Sequence, residues 1–314
     1  MFTNREIVTV GISPCWDITC RVKGIDWGSH ETIDAQYSVP AGKALNVSRA
    51  LAQLDIPSTA TGLWGSDDYQ QMLSTIAQLS ENITPDFVAV PGSTRRNITI
   101  ADTFNQREMH LRSPSTLANP ESLDRLEQKL LSLASENKLF VFAGSLPTGE
   151  LLERIATIIE KLHQAKAAVA LDTSGPALRT LVEAGHVSII KPNIEELSEL
   201  TGAQLSDDPH QLIASTKPLL EEVDIVLLSR GAGGAIAITR EGSVSGAFRG
   251  KAQPVTHTVG CGDYLLAGFL TGLTQVGESG FALQRGLLTA TARAFGVKPT
   301  DLSLANQIEL KVVK

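Results

Sequence analysis

Short apolar runs alternate with amphipathic stretches along most of the chain. Several of the runs are apolar on both faces, as the strands of a buried parallel sheet are. The predicted strands cover residues 7–12, 59–63, 87–90, 139–143, 168–171, 188–190, 225–228 and 235–238.

The stretches between the predicted strands have the 3.6-residue period of helices that bury one face. Three apolar stripes are clearest: Val47, Ala50, Leu51 and Leu54; Leu123, Leu126, Leu130 and Leu133; and Leu151, Ile155, Ile158, Ile159 and Leu162. This alternation predicts an α/β fold, a three-layer α/β/α sandwich with a mainly parallel central sheet and ligands at the carboxyl ends of its strands. We expect residues 1–314 to form a single domain.

Two stretches interrupt the alternation, at about 17–39 and 94–111. The first is polar and β-prone, and the second contains strand-like segments at 97–104 and 108–111. These segments can pair as a small sheet outside the sandwich, and such a sheet would form a β lid that excludes water from the active face. Ordinary surface hairpins are the alternative.

Composition removes several classes of protein. With 314 residues, 42% of them hydrophobic, the chain can bury a large core, which excludes a disordered or fibrous protein. The 27 Lys and Arg residues against 34 Asp and Glu give a net charge of −7, which disfavours binding to nucleic acid or an anionic membrane. Cys15, Cys20 and Cys261 lack metal-ligand spacing, and no segment reaches the length of a membrane span, so we expect a cytoplasmic protein with free thiols.

The segment Gly260-Cys261-Gly262-Asp263 precedes a long apolar helix. Its glycines let the backbone turn sharply, so that amide N–H groups converge at the positive end of the helix dipole and can hold an anion. A carboxylate beside such an anion hole is well placed to take a proton from an attacking hydroxyl, as in phosphoryl transfer. A capping carboxylate after a glycine turn is the alternative explanation of Asp263.

Seven short motifs follow one another along the chain. They are Ser13-Pro14-Cys15-Trp16-Asp17, Ala41-Gly42-Lys43-Ala44-Leu45-Asn46-Val47, Thr94-Arg95-Arg96-Asn97, Ala143-Gly144-Ser145-Leu146-Pro147, Lys191-Pro192-Asn193 with Glu196, Ser229-Arg230-Gly231-Ala232-Gly233-Gly234, and Thr258-Val259-Gly260-Cys261-Gly262-Asp263. With these motifs the chain resembles the PfkB, ribokinase-like carbohydrate kinases over nearly its full length, and within them the 1-phosphofructokinase and tagatose-6-phosphate kinase branch. Cys261 and Tyr264 stand where that family usually has alanine and a small residue.

The resemblance implies a role for each motif. Asp263 would be the general base, and the backbone of Gly260, Cys261 and Gly262 would form the anion hole. Contacts with the substrate are implied for Asp17, Gly42, Lys43, Asn46, Arg95 and Ser145. Contacts with the nucleotide are implied for Lys191, Asn193, Ser229, Gly231 and Gly234.

The two adjacent arginines are expected to differ. Neighbouring residues on a strand point to opposite faces, so one of Arg95 and Arg96 addresses the site, and the family pattern favours Arg95. Arg95 and Lys43 would supply the positive field that a sugar-phosphate dianion needs in a net acidic protein.

Glu196 has two explanations. Asn193 followed by Glu196 is a capping-box pattern at a helix start. The resemblance implies that the pair lies near the nucleotide phosphates and that Glu196 helps to hold Mg²⁺, which prefers carboxylate together with phosphate and water. Capping and metal binding can coexist. For Ser229 and Gly231, a strand-ending turn is the alternative.

The implied activity is an ATP- and Mg²⁺-dependent kinase acting on a primary hydroxyl of a ketohexose phosphate. Fructose 1-phosphate is the first expectation, followed by tagatose 6-phosphate and fructose 6-phosphate. A ribose or nucleoside kinase and a non-catalytic sugar-phosphate sensor stay open, although the basic Arg95-Arg96 pair disfavours the former and Asp263 disfavours the latter. We also expect a homodimer in which the lid sheets cover each other.

Overall fold

The computed structural model describes residues 2–251, 253–257, 259–300 and 302–313. A large sheet runs through it, and four further strands form a separate outer sheet. The strands are β1 (Glu6–Gly11), β2 (Cys15–Val22), β3 (Ala35–Ala41), β4 (Ser58–Gly65), β5 (Ile83–Pro85), β6 (Val88–Val90), β7 (Arg96–Asp102), β8 (Arg107–Leu111), β9 (Lys138–Ala143), β10 (Ala168–Asp172), β11 (Ile189–Ile190), β12 (Ile225–Ser229), β13 (Ala235–Thr239), β14 (Gly242–Phe248) and β15 (Ile308–Val313).

The order across the large sheet is β15-β14-β13-β12-β11-β10-β9-β1-β4-β5, and β6 also pairs with β4. Neighbouring strands from β5 to β12 are parallel, whereas β13, β14 and β15 add an antiparallel edge. The predicted fold class and the eight predicted strands are therefore confirmed. Sequence reasoning missed β5, which is only three residues long, and β14 and β15, in which polar and apolar residues are mixed and do not form a continuous apolar run.

Helices cover both faces of the large sheet. Their bounds are α1 (Lys43–Gln53), α2 (Tyr69–Leu79), α3 (Pro120–Leu133), α4 (Glu150–Gln164), α5 (Gly175–Glu183), α6 (Ile194–Thr201), α7 (Pro209–Thr216), α8 (Cys261–Val276), α9 (Ser279–Phe295) and α10 (Leu302–Ala305). Helices α3 to α7 bury their apolar stripes against one face. Helices α1, α8 and α9 pack on the opposite face, where the tip of α8 meets the carboxyl ends of the strands.

The outer sheet has the strand order β3-β2-β7-β8, and it joins the two stretches that interrupt the strand and helix alternation. Trp16 on β2 anchors it: the indole is buried, and its Nε1 donates a hydrogen bond to Asp68 Oδ2 at 3.1 Å. The strands begin and end close to the predicted stretches, which confirms the small sheet. Its action as a lid, and the prediction of a single domain, stay predictions.

Within the described ranges, no helix is long and apolar enough to cross a bilayer.

Candidate active site

Asp263 lies in the first turn of α8, and a glycine places it there. Gly260 caps the helix with φ of 85°, a left-handed conformation that side chains rarely adopt, and the chain enters α8 directly after it. The Asp263 side chain is buried and faces α1, where Asn46 Nδ2 donates a hydrogen bond to Asp263 Oδ2 at 2.7 Å. The carboxylate is thus held in a fixed position at the tip of the helix.

The surroundings of Asp263 make its carboxyl more basic than usual. Burial raises its pKa most, the negative charge of Asp172 raises it further, and the bond from Asn46 and the charges of Lys43 and Lys191 oppose the rise. The resulting pKa is about 6, against an ordinary value of 3.8. Asp263 is therefore mostly ionised at neutral pH, yet it is a better proton acceptor than an ordinary carboxylate.

A buried carboxylate that the sequence did not reveal organises the two lysines of the site. Asp172, the last residue of β10, is 1% exposed, and its Oδ1 lies 3.0 Å from Lys43 Nζ and 3.3 Å from Lys191 Nζ. Burial by itself lowers the pKa of Lys43, but the charge and hydrogen bond of Asp172, together with the charges of Asp263 and Glu196, outweigh burial, and the net change is upward. One carboxylate therefore holds both ammonium groups at the strand ends.

Lys191 lies directly beside the predicted anion hole. The point at which a Cβ on Gly262 would stand is 3.4 Å from Lys191 Nζ. A Cβ at this position would be in van der Waals contact with the ammonium group. Lys191 therefore lies against the backbone at the start of α8 and adds a positive charge beside its N–H groups.

A cleft of about 660 Å³ separates these groups from the outer sheet. The structure brings most of the predicted site residues into its lining: Asp17, Gly42, Lys43, Asn46, Arg95, Ser145, Lys191, Gly260, Gly262 and Asp263. It also adds residues that the sequence did not single out, namely Thr99, Glu108, His110, Arg112 and Arg293. The cleft combines one basic carboxylate with several cations and hydrogen-bonding groups, which suits a phosphorylated polyol.

Asp17 projects into this cleft from β2. Asn97 Nδ2 on β7 donates to Asp17 Oδ1 at 3.2 Å, and the thiol of Cys15 donates to the same oxygen at 3.3 Å. Burial, followed by the charge of Asp17, raises the pKa of Cys15 to about 12, so this thiol stays protonated. Asp17 is thus oriented to accept hydrogen bonds from a ligand in the cleft.

The two adjacent arginines differ in their exposure. Arg96 is exposed, whereas Arg95 is half-buried and lines the cleft. The guanidinium of Arg95 donates to three backbone carbonyls, of Ser13, Pro14 and Ser113, at 2.9, 3.2 and 3.0 Å. Arg95 therefore ties its own segment to two loops, at residues 13–14 and at Ser113, and its contact with a substrate phosphate stays a prediction.

The predicted nucleotide residues beyond Lys191 lie on the neighbouring strand ends, outside the lining of this cleft. Asn193 caps α6 in a capping box, in which Glu196 N donates to Asn193 Oδ1 at 2.8 Å and Asn193 N donates to Glu196 Oε2 at 2.9 Å. Ser229 N bonds Pro192 O at 2.9 Å. The capping explanation of the pair is thus confirmed, and its nucleotide role stays a prediction.

The turn after β12 contains the remaining two predicted nucleotide residues, Gly231 and Gly234. A Cβ on Gly231 would meet no atom within 4 Å, so its backbone is open to a ligand. Gly234 has φ of 92°, and a Cβ there would stand 2.0 Å from Gly246 O. Close packing against β14 therefore requires glycine at 234 whether or not nucleotide binds nearby.

Two departures from the family pattern are accommodated in different ways. The ring of Tyr264 is buried among the apolar residues under α8, so it does not narrow the cleft. Cys261 is partly exposed, and burial is the main reason that the pKa of its thiol is raised. Thr258, the first residue of the last motif, lies outside the described residues.

Comparison with known proteins agrees with this geometry. A family model described as pfkB family carbohydrate kinase matches residues 4–298. The 1-phosphofructokinase of Haemophilus influenzae is 30% identical over 316 residues, covering 98% of this chain and 97% of that protein. The 1-phosphofructokinase of Rhodobacter capsulatus is 31% identical over 270 residues, covering 86% and 84%.

A solved structure shares the fold. Phosphofructokinase-2 from Escherichia coli in complex with fructose-6-phosphate superimposes with a TM-score of 0.87 at 22% identity, covering 96% of this chain and 98% of that chain. The family match spans strands β1 to β14, which include the outer sheet, and the helix tip that carries Asp263. The chain therefore belongs to the pfkB family of carbohydrate kinases.

Proposed function

We propose that this protein is an ATP-dependent kinase that phosphorylates the free primary hydroxyl of a ketohexose phosphate, with fructose 1-phosphate as the preferred substrate. The observation that carries the proposal is the position of Asp263. Its carboxylate lies beside the N–H groups of a helix tip and opens into a cleft that also contains fixed cations. The relatives named 1-phosphofructokinase support the choice of sugar.

In this proposal Asp263 accepts the proton of the attacking hydroxyl. Its pKa of about 6 keeps most of it ionised at pH 7, and it remains basic enough to share the proton as the hydroxyl oxygen attacks phosphorus. Asn46 fixes the carboxylate by bonding one oxygen. The N–H groups at the start of α8 and the nearby Lys191 ammonium stabilise negative charge on the transferring phosphoryl group.

The sugar phosphate would lie between α1 and the outer sheet. Asp17 and Asn97 on the outer sheet accept and donate hydrogen bonds to hydroxyls, as suits a polyol. Lys43, whose side chain is 41% exposed, and Arg112 both line this cleft. These cations favour a phosphorylated sugar over ribose or a nucleoside.

The residues present also fit a magnesium ion carried by the nucleotide. Among the described residues no group of three or more His, Cys, Asp and Glu could hold a metal ion. That agrees with Mg²⁺, which binds to one or two carboxylates and takes its remaining ligands from phosphates and water. Glu196 would supply that carboxylate, since its cap bond uses Oε2 of the two oxygens. When bound, Mg²⁺ would neutralise negative charge on the nucleotide phosphates.

A substitution at Glu196 separates its two roles. Glu196→Gln keeps an oxygen for the cap bond but removes the charge, so we expect unchanged thermal stability and a higher Mg²⁺ concentration for half-maximal rate. Asn119→Ala is the matched control, because it removes one half of the corresponding capping box of α3, which contains no predicted site residue. Equal Mg²⁺ dependence in Glu196→Gln and the wild type would remove Glu196 from the metal site.

The outer sheet also supports a homodimer. Side chains on its strands alternate between the cleft and the opposite face, and Met109, which does not line the cleft, is apolar and 39% exposed. A second copy of the sheet would cover it. We expect light scattering to give the mass of a dimer at micromolar concentration, and Met109→Glu to give a monomer; a monomeric wild type would contradict the proposal.

A substrate panel tests the proposed activity. ADP release is measured with fructose 1-phosphate, tagatose 6-phosphate, fructose 6-phosphate, ribose and adenosine, each with ATP and Mg²⁺. We expect the largest kcat/KM for fructose 1-phosphate and none above background for ribose or adenosine. Highest activity with an unphosphorylated sugar would overturn the substrate class, and saturable sugar-phosphate binding without turnover would favour a sensor.

A further inference from the structure

Arg293 occupies an unusual position in the wall of the cleft. It lies in the last turn of α9, and its side chain reaches the cleft next to Gly260. The guanidinium carbon stands 5.2 Å from the centre of the Tyr264 ring, which is a cation–π arrangement. Tyr264 therefore holds the side chain in place without neutralising it.

The charge of Arg293 is not balanced by any carboxylate in the described part of the chain. Its Nε is buried and has no hydrogen-bond acceptor, and among the described residues no carboxylate lies within 4 Å of its nitrogens. A buried donor without an acceptor is costly, and native structures keep such groups where a ligand or water satisfies them. An uncompensated guanidinium that lines a cleft is thus available to an anion.

Its position relative to the catalytic residues narrows the choice of anion. The point at which a Cβ on Gly260 would stand is 3.8 Å from Arg293 Nε and 4.0 Å from Asp263 Oδ2. The corresponding point on Gly262 is 3.4 Å from Lys191 Nζ. The first turn of α8 is therefore flanked by two cations, Arg293 at Gly260 and Lys191 at Gly262. Lys191 shares its charge with Asp172, whereas Arg293 does not.

We infer that Arg293 is a second phosphate-binding cation of the anion hole and contacts the terminal phosphate of the nucleotide. The inference rests on the proposed kinase function, and it adds Arg293 to the site as a ligand of the terminal nucleotide phosphate. A planar guanidinium that donates to phosphate oxygens stabilises the charge on the phosphoryl group as it leaves the nucleotide and moves to the sugar oxygen. Arg293 lies on α9, so its positive charge comes from a different helix from the motif that contains Asp263.

Binding measurements test the inference without relying on turnover. The affinities of ADP and of the non-hydrolysable triphosphate AMP-PNP are compared in the wild type, Arg293→Met, Arg293→Lys and Arg285→Met. Methionine keeps an unbranched stem over Tyr264. Arg285 is the matched control, because it lies on the same helix with a buried, unpartnered Nε but does not line the cleft.

We expect Arg293→Met to weaken the affinity for AMP-PNP by about tenfold or more, while the affinity for ADP changes by less than threefold. We also expect kcat to fall by about 10²- to 10³-fold, the usual effect of losing one such donor. Arg293→Lys should recover part of both losses, and Arg285→Met should match the wild type. Equal weakening of ADP and AMP-PNP, or no change in either, would overturn the inference.

A measurement on the wild type covers the case in which the variants do not fold. Phenylglyoxal modifies accessible arginines, and mass spectrometry reports the extent at Arg293. AMP-PNP should protect Arg293 more than ADP does, and equal protection would contradict the inference. A wild type that binds nucleotide but phosphorylates no sugar phosphate would instead refute the proposed function, so the two failures are distinguishable.

Discussion

Replacing Asp172 by Asn should move the pH dependence of catalysis. Asp172 raises the pKa of Asp263 through its negative charge, second only to burial, and it also shares the charges of Lys43 and Lys191. A neutral amide in place of this carboxylate would remove the repulsion and leave two positive charges facing Asp263. Both changes favour the ionised form of Asp263, so its pKa should fall from about 6 towards its ordinary 3.8.

The expected size follows from simple electrostatics. Two unit charges roughly 8 Å apart at an effective dielectric constant of 20 interact with an energy of about 2 kcal/mol, and about 1.4 kcal/mol corresponds to a shift of one pKa unit. A carboxyl with a pKa of 6 is about one-tenth ionised at pH 5, whereas one with a pKa below 5 is more than half ionised. The ratio of kcat/KM at pH 5 to that at pH 8 should therefore rise at least about fivefold in Asp172→Asn.

The assay is the pH profile of kcat/KM for the sugar phosphate between pH 4.5 and 8.5. The absolute rate should fall, because Lys43 and Lys191 lose their common anchor. Asp102→Asn is the matched control: Asp102 is equally buried and paired with Arg107, but it lies in the outer sheet. An acidic limb that stays in place or moves to higher pH in Asp172→Asn would refute the reasoning.

The remaining predictions concern the fold. Hydrogen bonds from Asn105 are the main reason that the pKa of Asp102 lies below its ordinary value, so the ionised form of Asp102 stabilises the fold. Asp102→Asn should therefore lower the urea midpoint of unfolding at pH 7, and the difference from the wild type should shrink as the pH falls below 3.8. A difference that stays constant with pH would contradict this. Gly234→Ala should yield little folded protein, because a Cβ at 234 would clash with Gly246 O; a melting temperature equal to that of the wild type would contradict it. Asn193→Ala should cost about 1 kcal/mol of stability by loss of a helix cap, measured by urea denaturation.

Much of the fold could be predicted from the sequence because its core strands are buried on both faces. Runs such as those of β9 and β10 contain almost only apolar residues, and that pattern leaves few alternatives. The edge strand β15 has the pattern Ile-Glu-Leu-Lys-Val-Val, which an exposed loop or a short helix could also show. Its pairing with β14 depends on contacts between residues far apart in the chain.

The sequence predicted those residues of the candidate site that belong to recognisable motifs. Asp263 and Asn46 each belong to one, and the structure joins their side chains. Asp172 and Arg293 were missed because each is a single charged residue at the end of a strand or within a helix, where most charges face solvent. Nor could the sequence show that three carbonyls bind Arg95, because those contacts depend on how the loops fold.

The most direct test of the account is the single-turnover rate of Asp263→Asn with saturating ATP, Mg²⁺ and fructose 1-phosphate at pH 8. Asparagine keeps the size of the side chain and can still accept the bond from Asn46, but it cannot take a proton. We predict that phosphoryl transfer slows by about 10²- to 10⁴-fold, the usual contribution of a general base, while AMP-PNP binds within about threefold of the wild type. A rate within tenfold of the wild type would contradict the assignment of Asp263 as the base.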